Sequence, residues 1–318
     1  MSLSIRHLLS VKDLTKKDVD LILKTAENFQ EISKRPVKKV PALRGKTIPL
    51  CFFEPSTRTR ASFEIAAKRL SADPIQISSF GSSLSKGESL LDTVKNLEAM
   101  DPDVLVIRHP HSGMPHLMAK EVSCPVINAG DGINEHPTQA LLDLMTILQT
   151  KKKIQGLHVA IIGDILNSRV ARSNIILLTK MGAKVHVAGP ASMIPAGVDQ
   201  YGVQVAYDIR EVIPKADVMM MLRIQRERES ASLFPSLREY ARFFGLNKNN
   251  MQSAKKDVVI MHPGPVNRGV EIAPEVADGP HSIILDQVTN GVAVRMALLY
   301  LMCGEERENA KIKNQKSK

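Results

Sequence analysis

Short, almost uninterrupted apolar runs alternate with longer segments of helical period along the chain. The runs predict strands at Thr47–Phe53, Ile75–Phe80, Asp103–Arg108 and Pro125–Ala129. A second set follows at Leu157–Ile162, Lys184–Ala188, Val203–Tyr207, Asp217–Arg223, Asp257–Met261 and Ser282–Asp286. Val104-Leu-Val-Ile107 and Val258-Val-Ile-Met261 have no polar position, the pattern of a parallel strand buried on both faces. Between the runs, helical periodicity marks Leu14–Ile32, Arg58–Leu70, Leu90–Met100, Pro137–Gln149 and Arg169–Met181. This alternation predicts an α/β fold of two domains, each a parallel sheet flanked by helices. The polar stretch Thr150-Lys-Lys-Lys-Ile-Gln-Gly156 separates a helix from a fresh strand and sets the domains at 1–150 and 151–287. Segment 288–318 adds an amphipathic helix, about Val288–Leu301, that packs back on the first domain, and then a basic tail.

Composition narrows the class. A chain of 318 residues suits two domains, and an apolar fraction of 43% excludes large-scale disorder. No apolar run reaches the ~18 residues of a membrane span. The start, Met1-Ser-Leu-Ser-Ile-Arg-His7, lacks a signal-peptide stretch. A cytoplasmic protein without membrane association is expected. Cys51, Cys124 and Cys303 are far apart, with neither metal spacing nor a disulfide framework. Cys51 and Cys124 lie in or beside apolar runs and read as buried, inert thiols. The net charge is +10, with Lys311, Lys313, Lys316 and Lys318 in the final ten residues. There is no Trp and no basic stripe interleaved with aromatics, which argues against nucleic acid. The charge fits solubility and small anionic substrates. No metal or cofactor is expected.

Ligands in open α/β sheets bind beyond the carboxyl ends of the strands. Six predicted strands end in polar or Gly/Pro segments: Pro55-Ser-Thr-Arg-Thr-Arg60, Arg108-His-Pro110, Gly130-Asp-Gly132 with His136-Pro-Thr-Gln139, Gly163-Asp164 through Arg169, Arg223-Ile-Gln225 and His262-Pro-Gly-Pro265. Four supply an Arg, and arginines gathered from two domains describe a site for a small, multiply charged anion. Pro55 stops a strand, and Ser56 is a favoured N-cap for the helix that follows. The N–H groups of a helix start, hydroxyls on Ser56, Thr57 and Thr59, and the charges of Arg58 and Arg60 suit a phosphate. The same segment also fits an ordinary capped helix with two exposed arginines. His136 and Gln139 share one helix face near its start; alone, His136 also reads as a capping histidine. Arg169 falls in the first turn of a helix. Arg223 and Gln225 alternate on one side of an extended segment. Gly163-Asp164 lacks the Gly-x-Gly-x-x-Gly of a dinucleotide fold, and no Walker A pattern appears. Gly81-Ser-Ser-Leu-Ser-Lys-Gly87 is a Gly/Ser loop with one Lys, suited to exposure or to closure over an anion.

Taken together, Phe52-Phe-Glu-Pro-Ser-Thr-Arg-Thr-Arg60, Ser82–Glu88 with Lys86, Arg108-His-Pro110, His136-Pro-Thr-Gln139, Arg169, Arg223-Ile-Gln225 and His262-Pro-Gly-Pro265 carry a resemblance. The chain resembles the aspartate carbamoyltransferase family over nearly its full length. Ornithine carbamoyltransferases share Ser-Thr-Arg-Thr-Arg but usually carry His-Cys-Leu-Pro and His-Pro-Cys-Gln at the other two places, so the aspartate branch fits better. The resemblance implies transfer of a carbamoyl group from carbamoyl phosphate to the α-amine of L-aspartate, in de novo pyrimidine biosynthesis. It implies that Ser56, Thr57, Arg58, Thr59 and Arg108 hold the phosphate. Thr59, Arg108 and His136 would polarise the carbamoyl carbonyl. Gln139 and the backbone of Gly264 and Pro265 would hold the carbamoyl end. Arg169, Arg223 and Gln225 would bind the aspartate carboxylates. It implies a homotrimer with shared active sites, each receiving Lys86 and either Ser82 or Ser83 from a neighbour. Regulatory chains or a dihydroorotase are conceivable further partners. Two rivals remain at this point: a carbamoyltransferase for ornithine or a related amine, and a non-catalytic anion- or nucleic-acid-binding protein with steeply salt-dependent binding.

Overall fold

The computed structural model describes residues 2–78, 89–224 and 234–303. The loop with Ser82, Ser83 and Lys86, the position of Gln225 and the basic tail lie outside the described residues. The chain forms two compact units, Met1–Leu141 with Asn290–Lys318, and Leu142–Thr289.

In the first unit the elements run α1 (Lys16–Ser33), β1 (Thr47–Phe52), α2 (Thr57–Arg69), β2 (Asp73–Ser78), α3 (Leu90–Glu98), β3 (Leu105–His109), α4 (Met114–Glu121) and β4 (Val126–Asp131). Next comes α5 (Pro137–Lys151), which crosses into the second unit. The strands form one parallel sheet in the order β2-β1-β3-β4. Leu50, Cys51, Leu105, Ile107 and Val126 are fully buried, as two-sided burial of a parallel strand requires. Burial, reinforced by neighbouring Cys124, pushes the Cys51 thiol up to about 12, so it is inert at neutral pH. Helix α1 starts at a capping box: the Thr15 hydroxyl accepts from the Asp18 N–H at 3.1 Å, and the Asp18 carboxylate accepts from the Thr15 N–H at 2.9 Å.

The second unit continues with β5 (His158–Ile162), α6 (Arg169–Lys180), β6 (Lys184–Ala188), β7 (Gln204–Ala206) and β8 (Val218–Met221). Then come α7 (Leu237–Phe244), the single-turn α8 (Lys248–Met251), β9 (Val259–Met261) and the single-turn α9 (Pro274–Ala277). Its sheet is also parallel throughout, in the order β7-β6-β5-β8-β9. Ser282–Asp286 is not a strand. Ser282 makes only an isolated bridge to Ile260. The last helix, α10 (Ile284–Cys303), begins two residues later, with Asp286 in its first turn where the helix dipole favours an acid.

Helix α10 returns to the first unit. Gln30 donates to the Asn290 side chain at 2.8 Å, and Phe29 meets Tyr300 edge-on at 5.6 Å between ring centroids. Arg295 donates to the Ser62 hydroxyl at 2.8 Å and lies 5.3 Å from the centre of the Phe63 ring. The helix is not amphipathic in the sense expected. Every residue from Ala293 to Leu299 is buried, so that stretch is enclosed by protein. Phe63 is fully buried beneath this contact. Phe63→Ala should therefore cost about 3–5 kcal/mol of stability, read as a lowered urea midpoint.

Candidate active site

In the first sheet the strand order reverses at β1. The chain runs from β1 to β2 on one side and then crosses to β3 on the other. Such a switch point opens a crevice at the strands' carboxyl ends. The two ends there are Glu54–Arg60 and Arg108–Pro110. Ser56 occupies the N-cap of α2, with its carbonyl accepting from Arg60 N–H at 3.3 Å. The expected side-chain cap is missing: the Ser56 hydroxyl makes no cap hydrogen bond, unlike Thr15, Ser89, Ser168 and Ser236 at other helix starts. The first turn of α2 has no acid and carries Arg58 and Arg60, both exposed. A positive helix end with added positive charge and an idle capping hydroxyl is matched by a bound anion.

Arg108 ties the two strand ends together. Its guanidinium pairs with Glu54 at 2.7 Å, and Nη1 donates to the Thr59 hydroxyl at 3.4 Å and the Ala129 carbonyl at 3.3 Å. Both ion-pair side chains are nearly buried, at 12% and 13% exposure. The pairing of β3 with β4 slips between Ile107 and His109, a bulge that re-aims the segment around Arg108. His109 is held below the ordinary histidine range by burial and by neighbouring His111, so it stays uncharged at pH 7.

The loop from β4 to α5 sets His136 and Gln139. Asp131 is fully buried and accepts from Gly113 N–H at 2.7 Å, Asn128 Nδ2 at 2.8 Å and Glu135 N–H at 3.1 Å. Glu135 in turn accepts from the Ser10 hydroxyl and, at 3.0 Å, from Val11 N–H. Gly132 has a φ of 48°, and a Cβ there would stand 2.7 Å from the Ser112 nitrogen, so only glycine fits. This scaffold places His136 at the start of α5, its carbonyl accepting from Gln139 and Ala140 N–H groups. His136 is 4% exposed and Gln139 8%.

In the second sheet the order reverses at β5, between β6 and β8. The strand ends at that point carry Gly163–Arg169 and Leu222–Arg223. Arg169 opens α6, next to Ser168, whose hydroxyl caps the helix by accepting from Ala171 N–H at 3.1 Å. Asp164 is buried and accepts from Asn167 N–H at 3.0 Å, which fixes the turn before Arg169. Gly163, at φ 131°, leaves room for Leu222 and the Tyr240 hydroxyl, each of which would lie 3.1 Å from an added Cβ. Arg223 follows β8 and is half-buried, while its neighbour Ile224 packs on Met193 and Tyr240. At the end of β9, His262 precedes Gly264 and Pro265, which are joined by a cis peptide.

Ser56, Thr57, Arg58, Thr59, Arg108, His136 and Gln139 thus lie in the first unit at or after the carboxyl ends of β1, β3 and β4. Arg169, Arg223, Gly264 and Pro265 lie in the second unit after β5, β8 and β9. Lys86 and Gln225 fall outside the described residues. Glu54, Asp131, Glu135 and Glu271 were not foreseen as parts of these sites. Glu54 and Asp131 left a trace in sequence, Glu54 as a lone acid after an apolar run and Asp131 within the strand-end segment Gly130-Asp-Gly132. Among the described residues no group of three or more His, Cys, Asp or Glu side chains could hold a metal ion, and no helix is long and apolar enough to cross a membrane.

Residues 6–149 match the model of the aspartate/ornithine carbamoyltransferase carbamoyl-phosphate-binding domain, and residues 155–302 match the Asp/Orn-binding domain of the same family. The aspartate carbamoyltransferase catalytic subunit of Desulfosudis oleivorans is 62% identical over 308 residues, covering 97% of this chain and 99% of that relative. Among solved structures, an aspartate transcarbamoylase of Trypanosoma cruzi in complex with N-(phosphonacetyl)-L-aspartic acid superposes with a TM-score of 0.85 at 29% identity. That match covers 93% of this chain and 95% of the other. The ornithine carbamoyltransferase of Pyrococcus furiosus superposes with a TM-score of 0.84 at 32% identity, covering 96% and 99%. With both halves of its length matched and relatives this close, the chain belongs to the aspartate/ornithine carbamoyltransferase family.

Proposed function

We propose that this chain is an aspartate carbamoyltransferase. It moves the carbamoyl group from carbamoyl phosphate to the α-amine of L-aspartate, releasing N-carbamoyl-L-aspartate and phosphate in de novo pyrimidine synthesis. The observation that carries this reading is the pair of arginine-bearing switch points, one in each sheet, on a chain 62% identical to an aspartate carbamoyltransferase catalytic subunit. A Trypanosoma cruzi relative has been solved with carbamoyl phosphate and aspartate bound, and it shares the fold with a TM-score of 0.84.

Roles follow from chemistry. The start of α2, with Ser56, Thr57, Arg58 and Thr59, holds the phosphate together with Arg108. Thr59, Arg108 and His136 face the carbamoyl oxygen and stabilise the charge that builds on it. Gln139 and the carbonyls of Gly264 and Pro265 hold the carbamoyl amide. Arg169, Arg223 and Gln225 take the two carboxylates of aspartate, and Lys86 supplies a further cation. The amine nitrogen attacks the carbamoyl carbon, the bond from that carbon to the phosphate oxygen breaks, and the leaving phosphate takes the amine proton. No protein nucleophile is needed. Holding two anions in attacking geometry accounts for ~7–11 kcal/mol of the barrier, and each donor to the oxyanion adds ~2.7–4 kcal/mol.

The proposed assembly is a homotrimer with sites completed by Lys86 and a serine, Ser82 or Ser83, of a neighbouring copy. Ile65 on α2 and Ile75 on edge strand β2 are 42% and 47% exposed, an apolar surface that a second copy would cover. The relatives' designation as catalytic subunits leaves room for regulatory chains or a dihydroorotase in a larger complex. A cytoplasmic setting accords with three buried cysteines that form no disulfide.

Three measurements test this reading. Carbamoyl transfer to aspartate should be detected by product assay, with ornithine inactive and native mass corresponding to three chains. Arg58→Ala should lower kcat/KM by about 100-fold or more, the cost of one lost transition-state contact, without changing the circular dichroism spectrum. Near-normal turnover would remove the phosphate role. Arg223→Ala should raise the aspartate KM by about 10–100-fold, as expected for a lost charge-assisted contact. A shift in the carbamoyl phosphate KM alone would reassign that residue.

A further inference from the structure

His262 sits between two neighbours that together dictate where its proton lies. It is 1% exposed, at the end of β9. Its Nδ1 lies 2.9 Å from the Gly264 nitrogen, whose N–H can only donate, so Nδ1 is the acceptor. The ring proton must then be on Nε2, which lies 3.1 Å from Oε1 of Glu271. Glu271 is fully buried, and the same oxygen accepts from Asn267 N–H at 2.6 Å. One carboxylate therefore closes the loop from 262 to 271 at both ends.

The backbone of His262 is pinned separately. Its N–H donates to Gln287 Oε1 at 2.9 Å, Gln287 donates to Asp143 at 2.7 Å, and Asp143 accepts from Asn174 at 2.8 Å. Gln287, Asp143 and Asn174 are all buried. The ring and the peptide of His262 thus have independent supports, and Glu271 is the side chain that holds the ring, opposite the Gly264 N–H. A ring free to flip, or to take the other tautomer, would present an N–H or a carbon where the Gly264 N–H needs an acceptor. The Pro263–Gly264 peptide, which leads directly into the Gly264–Pro265 bond, would then lose that hydrogen bond.

We propose that Glu271 is a positioning residue for the carbamoyl end of the substrate. It fixes His262 as the Nε2–H tautomer, and His262 in turn orients the carbonyls of Gly264 and Pro265. The relation repeats in a transferase loop what a carboxylate does for a catalytic histidine elsewhere, setting tautomer and orientation without touching substrate. Tyr240 shares the surroundings. Its hydroxyl has no hydrogen-bond partner among the described residues, and burial followed by the charges of Glu271 and Asp164 pushes its ionisation far up. It therefore remains a neutral wall and offers Glu271 no competing charge.

The proposal rests on the carbamoyltransferase reading, and its test separates the two. The full-length protein is assayed as wild type, Glu271→Ala and Glu271→Gln, with carbamoyl phosphate KM, aspartate KM and competitive inhibition by inorganic phosphate measured for each. Absence of wild-type transfer to aspartate would defeat the functional reading alone. Glu271→Ala should raise the carbamoyl phosphate KM at least tenfold and leave the inorganic phosphate inhibition constant within twofold, because phosphate lacks the carbamoyl end. Glu271→Gln keeps an acceptor oxygen facing Nε2 and should recover to within threefold of wild type. An unchanged carbamoyl phosphate KM, an equal change for inorganic phosphate, or no recovery in Glu271→Gln overturns the proposal. Nitrogen-15 NMR of the histidine rings needs no turnover: His262 should show a protonated Nε2 in the wild type and a mixture of tautomers in Glu271→Ala. A protonated Nδ1 in the wild type overturns it equally.

Discussion

Everything in both units depends on parallel pairing. Each strand in either sheet runs in the same direction as its neighbour, so all carboxyl ends of a sheet emerge at one edge. The chain must cross over after every strand, and where the crossovers change side the helices diverge and leave a crevice. Residues needed only for folding have no reason to be polar at that edge. The first sheet puts Arg58 and Arg108 at its reversal, and the second puts Arg169 and Arg223 at its own. Position in the topology, more than abundance of charge, makes these arginines different from the rest.

The cost of such placement is visible in the partners the arginines keep. Arg108 is nearly buried, and a guanidinium cannot discharge itself by losing a proton. It is supported by Glu54 just past the end of β1, by the Thr59 hydroxyl and by the Ala129 carbonyl. The Glu54 carboxylate offsets a charge that burial would otherwise leave uncompensated. Ser56 makes the complementary concession. It gives up a capping bond worth about 0.5–2 kcal/mol in other helices, and its hydroxyl stays available for a ligand. A helix start that stabilised itself fully would have less to offer an anion.

Much of this was legible in the residues. Nine of the ten predicted strands exist, with β6 matching at both ends; the central ones, buried on both faces, leave unbroken apolar runs. The failure at Ser282–Asp286 has a plain cause. Ile283 and Ile284 look like a strand, but only one bridge forms before α10 starts, and periodicity cannot separate four apolar-rich residues of strand from the first turn of a buried helix. Helix α4 went unnamed because only Pro115 and Met118 are buried along it, too few for a stripe. The site's polar motifs were readable as strand-end residues. The roles of their supports were not: Asp131, Glu135 and Glu271 act through contacts 3 to 125 residues away in sequence, and a buried carboxylate looks like any surface one until the fold closes on it.

The fold itself does not select the second substrate. An ornithine enzyme and an aspartate enzyme superpose on this chain almost equally well, with TM-scores of 0.84 and 0.85, so the choice must lie in side chains. Carbamoyl phosphate asks for the same corner in either case, and the α2 start is the corner proposed for it. The acceptor amine differs only in what hangs from it. Ornithine reacts at its δ-amine and carries an α-ammonium beside one carboxylate, whereas aspartate carries two carboxylates. In the proposed roles, Arg169, 4% exposed, and half-buried Arg223 offer permanent positive charge in a setting where water screens little. An ammonium brought there meets like charge and loses its hydration, whereas a carboxylate exchanges water for charge-assisted hydrogen bonds. On that reading discrimination rests as much on repelling the cation as on holding the anion, and it falls to the unit that carries Arg169 and Arg223.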